Sequence, residues 1–457
     1  MDRDALTFLN DWKVRKNRKP LIIRGARQVG KTWLVERFAS GFENFIKINF
    51  EENPEYKDFF KTNDVETIIK NIGFEFGKKI IPEETLLFLD EIQACPEAIP
   101  VLRYFYEKIP KLYVISAGSL LDHVLNDMKY SMPVGRIEFL YLYPLSFNEF
   151  LIAAGENMLL EYISSFKPGS DFSNVIHQKL LKLVRNYFFV GGMPEAVKNY
   201  FETDDLFEVE RVHQSILTSL ELDFTKYTKN NQAEYLRQVF KFIPRGIGNK
   251  VKYVNINPLT KSIYLKEAFI KLELSRIIHR IMATSTIQVP LYSGAKDSVY
   301  KPLFFDTGLV SHMLKVRLTD IENIMLINEG AMMEQFIGQQ LLNRKPYFID
   351  HQLFYWVREK RDANAEIDYL MEFGNKVIPV EVKAGKTGTL KSLHVFMAEK
   401  KKNIAVRFNT DMPSLTNVNT SVKMANSIVP VEFQLLSLPV YMINFLDDIL
   451  SKLDIEV

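Results

Sequence analysis

Leu21-Ile22-Ile23-Arg24-Gly25-Ala26-Arg27-Gln28-Val29-Gly30-Lys31-Thr32 decides the fold of the first third of this chain. Leu21 to Ile23 read as a short buried strand. Gly25 to Thr32 fit G-x-x-x-x-G-K-[ST] at every fixed position, and a helical pattern runs on from Lys31 to about Phe38. Strand, glycine turn and helix in that order are the context a phosphate-binding loop requires. The glycines let the backbone N–H groups of Gly25, Ala26, Arg27, Gln28, Val29 and Gly30 curl around phosphates at the positive end of the helix dipole. Lys31 is expected to reach the β- and γ-phosphates, and the Thr32 hydroxyl to ligate Mg²⁺, so the expected ligand is Mg-ATP.

Outward from the loop, Phe45–Phe50 alternates like a strand, while Leu86–Leu89 and Leu112–Ile115 are apolar throughout. Such runs suit strands buried on both faces of a parallel sheet with helices on either side. Asp90 and Glu91 end the Leu86–Leu89 run. Asp90 is placed to hold Mg²⁺ through water, and Glu91 to polarise an attacking water as general base. The adjacent pair argues for hydrolysis rather than transfer to a small acceptor. Ser116 and Ser119 end the next strand beside Gly118; a polar residue there either senses the γ-phosphate or caps a helix. Arg136 reads as an arginine finger or as a surface ion pair.

At 457 residues the chain exceeds one core, and two or three domains are expected. We divide it into a P-loop ATPase domain at 1–150, a helical middle at 151–327 and a C-terminal α/β domain at 328–457. Within the middle, about Gln232–Phe305 carries helices followed by Val289–Tyr292 and Val299–Phe304, the outline of a winged helix. Ser262–Ile278 is its candidate recognition helix, with Lys261, Lys266, Lys271, Arg276 and Arg280 as candidate phosphate contacts or merely solvated charges. The last domain shows a helix at Gly330–Leu342 and strands at Leu353–Val357, Glu366–Phe373, Lys376–Lys383 and Ile404–Phe408. Glu381 and Lys383 lie two apart in a strand and share one face. With Asp368 on the preceding strand and Glu334 on the helix, they form a candidate site for a hard divalent cation. The competing reading is a cross-strand ion pair on a wet face.

The net charge of +2 sets aside a constitutive nucleic-acid coat protein without excluding a local basic groove. A single cysteine, Cys95, permits no internal disulfide and points to a reducing compartment. The charged start, Met1-Asp2-Arg3-Asp4, lacks a secretory core, and no apolar run nears the ~20 residues of a membrane helix. A cytoplasmic protein without membrane contact is expected.

These segments resemble the bacterial and archaeal ATPases that join an AAA-type P-loop domain to a C-terminal DUF4143 region. The resemblance rests on Arg24–Thr32, Phe88–Gln93, Ala117–Ser119, Gly135–Arg136, Tyr143–Phe150, Gly191–Glu195, Asp306–Leu309, Gly330–Glu334, Glu366–Tyr369 and Glu381–Lys383. It implies a P-loop fold of the additional-strand type, a winged-helix middle, and a C-terminal part similar to the PD-(D/E)XK nucleases, a restriction-endonuclease-like fold, with Asp368, Glu381 and Lys383 at the motif positions. Asp368 departs from that pattern in not following a proline. The leading expectation is an ATPase switch or motor that acts on nucleic acid, DNA being the candidate, with the C-terminal domain as nuclease or DNA clamp. Its rival is a signal-transducing ATPase whose C-terminal domain binds a protein partner and has lost catalysis. A small-metabolite kinase is disfavoured by Asp90-Glu91.

Overall fold

The computed structural model describes residues 3–126, 132–226, 228, 232–316, 329–358, 365–383, 390–424 and 427–453. The expected boundary at 327–328 lies outside them. The N-terminal sheet contains β1 (Leu21–Arg24), β2 (Asn44–Asn49), β3 (Thr85–Asp90), β4 (Tyr113–Gly118) and β5 (Glu138–Tyr141), in the order β2-β3-β4-β1-β5. Every pairing is parallel. Strand alternation sends Leu21 and Ile23 to one face, against α1 (Ala5–Val14) and α2 (Lys31–Ala39). Ile22 goes to the other, against α3 (Val65–Phe76) and α4 (Ala98–Lys108). β3 and β4 are buried along their whole length, as their uniformly apolar runs require. β4 lies between β1 and β3, which is the additional-strand arrangement.

A short α5 (Leu121–Asn126) follows β4, and after β5 the chain turns helical: α6 (Phe147–Ala153), α7 (Asn157–Ser164), α8 (Asn174–Val190), α9 (Pro194–Thr203), α10 (Leu206–Asp223), α11 (Gln232–Gly246), α12 (Tyr253–Ile256) and α13 (Ser262–Leu274). A capping box closes the start of α6, with Ser146 and Glu149 satisfying each other's backbone N–H groups. The antiparallel hairpin of β6 (Ile278–Thr284) and β7 (Ala295–Phe304) comes next.

Two expectations for this hairpin are corrected. The helix ends at Leu274 rather than Ile278, because Arg276 takes a left-handed φ of 60° and turns the chain into β6. Val289–Tyr292 is no strand: Pro290 brings no N–H to a ladder, and Leu291–Gly294 form a 3-10 turn.

β6 also pairs in parallel with β8 (Leu353–Arg358). The hairpin is thereby one end of an eight-stranded mixed sheet. Between the two come α14 (Thr307–Met313) and α15 (Glu329–Leu342). Beyond β8 the sheet continues with β9 (Ala365–Phe373), β10 (Lys376–Val382), β11 (Ile404–Asn409), β12 (Ser414–Met424) and β13 (Ser427–Pro439). Its order is β12-β13-β11-β10-β9-β8-β6-β7. α16 (Lys391–Lys400) packs on one face and α15 on the other, and α17 (Leu446–Ser451) closes the chain against the shared core.

The helical middle is tied to the hairpin by Asp306, which is wholly buried. Its carboxylate accepts the Gly192 N–H at 2.7 Å, the Leu309 N–H at 3.0 Å and a Gln339 amide N–H at 3.4 Å. Gly191, at φ 73°, leaves room for it, since a Cβ there would overlap the Asp306 carboxylate. Burial pushes Asp306 up from 3.8 to about 6, so the folded chain holds this proton to higher pH than the unfolded chain does. The stabilising contribution is full below 3.8 and is lost as pH rises through about 6. We expect wild type to lose about 2 kcal/mol from this group between pH 4 and 7. Urea denaturation of wild type and Asp306→Asn across that range checks it, because the variant should lack this slope. At pH 7 the variant should also be about 1–3 kcal/mol less stable, as its NH₂ would face the Gly192 donor.

Candidate functional site

The Gly25–Thr32 loop joins β1 to α2 as the sequence requires. Leu142, just past β5, presses its carbonyl where a Gly25 Cβ would lie, so the backbone alone fits there. Gln28 and Gly30 take φ of 64° and 92°, the positive values that turn backbone N–H groups into a concavity. Lys31 is folded onto this loop, donating to the carbonyls of Gly25 at 3.0 Å and Ala26 at 2.8 Å. Burial drives its ammonium down to about 8. A phosphate chain would meet both the loop N–H groups and this desolvated cation.

The Thr32 hydroxyl donates to Asp90 at 3.1 Å, bringing together the two groups expected around Mg²⁺. Burial first, and the like charge of Glu91 second, raise Asp90. Lys47 offsets this from 3.6 Å. Glu91 has a left-handed φ of 52°, and the Gln93 amide holds its carboxylate at 2.7 Å. Sequence reading assigned no role to Lys47, nor to Gln93, which entered only as the end of the Phe88–Gln93 segment.

Ser119 is buried directly after β4, the strand between the loop and Asp90. Ser116 instead turns its hydroxyl towards the Leu21 carbonyl inside the sheet. The structure does not bring Arg136 to the loop of its own chain. β5 runs parallel to β1 with Leu21 opposite Glu138, so Arg136 lies at the far end of the sheet from Gly25. There it pairs with Glu107 at 2.9 Å. Within the loop itself, Arg27 is ion-paired to Asp223 at the end of α10. The Pro194 ring, opening α9, lies where it would touch a Cβ on Gly30. The helical middle thus borders the phosphate loop.

Of the candidate recognition-helix charges, Lys261 and Lys266 are exposed. Arg276 is buried, bonded to Asp122 at 2.9 Å and to Asp350 at 2.6 and 2.7 Å. Arg280 pairs with Glu273 at 2.9 Å, and Lys271 donates to Gln232 at 2.7 Å. Arg24, the residue before the loop, also pairs with Asp122. Four segments far apart in sequence therefore meet on one set of charges centred on the buried Asp122 and Arg276.

At the C-terminal site Glu334, Asp368, Glu381 and Lys383 converge. The β9–β10 register pairs Tyr369 with Val380, so Asp368 and Glu381 come next on adjacent strands. Asp368 accepts the Val382 N–H at 2.7 Å, and Lys383 reaches Glu381 at 2.6 Å. The other Glu381 oxygen is buried with no hydrogen-bond partner among the described residues. One residue was missed. Lys301, from β7, is 1% exposed and sits between Glu334, at 3.3 Å, and Glu366. Nothing in its own strand pattern signals this, because β7 meets β9 only through the order of the sheet. Burial, then the charge of Asp368, pushes both Glu334 and Glu381 up. Among the described residues no group of three or more His, Cys, Asp or Glu side chains stands ready to hold a metal ion. The lysines engage the carboxylates that a cation would otherwise draw together.

A glycine loop between a central parallel strand and a helix, facing an acid at the tip of a strand one place removed, defines a P-loop ATPase fold. Residues 17–151 match the AAA domain family, and 329–432 match a domain of unknown function, DUF4143. The chain thus joins an AAA-type P-loop domain to a DUF4143 region. Residues 181–320, between them, match a second domain of unknown function, DUF8612. Among solved structures, a Walker-type ATPase of Pyrococcus abyssi is 16% identical, with 68% of this chain and 95% of that one covered at a TM-score of 0.44. The ORC2 protein of Aeropyrum pernix is 12% identical, with 70% and 93% covered at 0.32. The RuvB Holliday junction branch migration motor of Thermotoga maritima is 16% identical, with 60% and 87% covered at 0.28. No curated protein matches the chain.

The burial of Lys301 gives a stability test. Lys301→Met strands Glu334 and Glu366, and breaking a buried pair costs about 3–5 kcal/mol. We expect about 3 kcal/mol by chemical denaturation, the low end, since Glu334 can take up a proton. Adding Glu334→Gln should recover part of the loss in a double-mutant cycle.

Proposed function

We propose that this chain hydrolyses Mg-ATP at Gly25–Thr32 and couples turnover to an action on DNA through residues 232–305 and the C-terminal domain. The observation that carries the first half is the Thr32–Asp90 contact with Glu91 held one residue further on by Gln93. Thr32 and Asp90 are the residues that would hold Mg²⁺, which when bound would neutralise charge on the phosphates. Lys31 would leave the Gly25 and Ala26 carbonyls for the β- and γ-phosphates. Glu91, fixed by Gln93, would take a proton from the attacking water. Asp223, paired with Arg27, would let the helical middle register the state of the loop.

For the second half, α11, α12 and α13 followed by the β6–β7 hairpin support a winged helix, with Lys261 and Lys266 among its exposed cations. The buried Glu381 oxygen next to Asp368, with no hydrogen-bond partner among the described residues, supports a nuclease-like cation site, with Lys383 as the adjacent ammonium. Asp368 and Glu381 are the residues that would hold the cation. A second reading, a regulatory ATPase whose C-terminal domain is an inactive partner-binding module, is favoured by one observation: Lys301 and Lys383 already neutralise the cluster.

Lys31→Ala should abolish ATP turnover. Glu91→Gln should retain ATP binding and slow hydrolysis roughly 10²–10⁴-fold, the contribution of a general base. Steady-state phosphate release and nucleotide binding measure both, and normal hydrolysis by Glu91→Gln would remove it from that role. The two readings separate on DNA. Stimulated ATP turnover, with Mg²⁺- or Mn²⁺-dependent cleavage lost in Asp368→Ala, supports the first. Turnover indifferent to DNA of every shape, with no cleavage, supports the second.

A further inference from the structure

We propose that Arg3 is a positioning residue of the phosphate-binding loop, holding the Val29–Gly30 peptide so that the Gly30 N–H is aimed into the phosphate cradle. Arg3 precedes α1 and is 5% exposed. Its guanidinium makes three bonds to three places. Nη1 donates to the Val29 carbonyl at 2.9 Å, Nη2 to the Tyr143 carbonyl at 2.7 Å, and Nε to Glu149 at 2.8 Å. Glu149 is equally buried and is itself fixed, accepting the Asp4 N–H at 2.9 Å and the Ser146 N–H at 2.8 Å.

A trans peptide is planar, and its C=O and N–H point in opposite directions. A donor locked onto the Val29 oxygen therefore fixes the Gly30 N–H on the opposite side. Gly30 holds a φ of 92°, so this peptide is free to turn over unless something restrains it. The Tyr143 bond ties the loop to the segment leaving β5, and the Glu149 pair ties both to α6. An arginine serving only to anchor α1 could be replaced by an apolar residue, avoiding the desolvation of two buried charges. Two of its three bonds instead go to main-chain carbonyls, one of them inside the loop. Such a group acts by preorganisation: the donors stand where the phosphate oxygens will be before ligand arrives.

This inference rests on the ATP-binding reading, and the test separates the two. Full-length wild type, Arg3→Gln and Arg3→Lys are titrated with fluorescent mant-ATP and mant-ADP, and nucleotide-free thermal unfolding is recorded in parallel. Arg3→Gln should bind both nucleotides about tenfold more weakly at a temperature where it is fully folded, the equivalent of one hydrogen bond lost from the cradle. Lysine keeps the charge but cannot span three acceptors, so Arg3→Lys should fall between the two. A purely structural arginine would lower the unfolding temperature and leave the affinity of folded molecules untouched, and that result overturns the proposal. If Arg3→Gln does not fold, Arg3→Lys decides: weakened binding supports the proposal and wild-type affinity overturns it. Wild type that binds neither nucleotide would refute the ATP reading and, with it, the role of Arg3.

Discussion

The structure depends on one carboxylate placed where water cannot reach it. Asp306 sits between the hairpin and the helical middle, surrounded by the backbone N–H groups of Gly192 and Leu309. A charge in that position is tolerated because its donors are in place, and those donors are in place because Gly191 has no side chain. Gly191 ends α8, and Pro194 opens α9 beside the phosphate loop. The angle at which the helical middle meets the nucleotide site is thus set at a glycine pair and held by an acid more than a hundred residues away. On the other side of Asp306, Gln339 of α15 donates to the same carboxylate and to the Tyr187 hydroxyl at 2.9 Å, while Gln340 accepts the Phe147 N–H at 2.8 Å. The helix that carries Glu334 is therefore anchored, about one and a half turns further on, to elements that flank the P-loop.

The ionic links between the units differ in kind from surface pairs. In the set of Arg24, Asp122, Arg276 and Asp350, Asp122 and Arg276 are buried and each has two partners, so removing Arg276 leaves a buried Asp122 with Arg24 alone. Surface pairs such as Lys61–Asp58 or Lys198–Glu202 are worth a fraction of a kcal/mol and place nothing. Arg276 was read from sequence as an exposed cation of a recognition helix. The left-handed turn at that residue carries it out of the helix and into the interface, which helical periodicity cannot foresee.

The readable parts of the sequence were those where local chemistry leaves one solution. Gly25–Thr32 and Asp90-Glu91 each sit at the end of an apolar strand, and the strand itself fixes where their side chains go. Asp368, Glu381 and Lys383 were readable for the same reason. Arg3 and Lys301 were not. Each is a lone cation in an unremarkable stretch, and its importance comes from elements distant in sequence that fold around it. The β12–β13 ladder was missed too: Asn417, Asn419 and Thr420 obscure β12, although Val431-Glu432-Phe433-Gln434-Leu435 in β13 does alternate apolar and polar. Val289–Tyr292 misled in the opposite sense, with strand-forming residues around a proline that has no N–H to offer.

The continuous eight-stranded sheet bears on how such a chain can be taken apart or recombined. The β6–β7 hairpin belongs by sequence to the stretch before α14, yet β6 satisfies one edge of β8. Severing the chain between the hairpin and α15 would leave each fragment with an open row of backbone donors and acceptors, the kind of edge that recruits foreign strands. In this architecture the units exchangeable between proteins are not the ones that sequence boundaries mark. A C-terminal domain transplanted without its borrowed hairpin would carry an incomplete sheet and would also lack Lys301 at its acidic cluster.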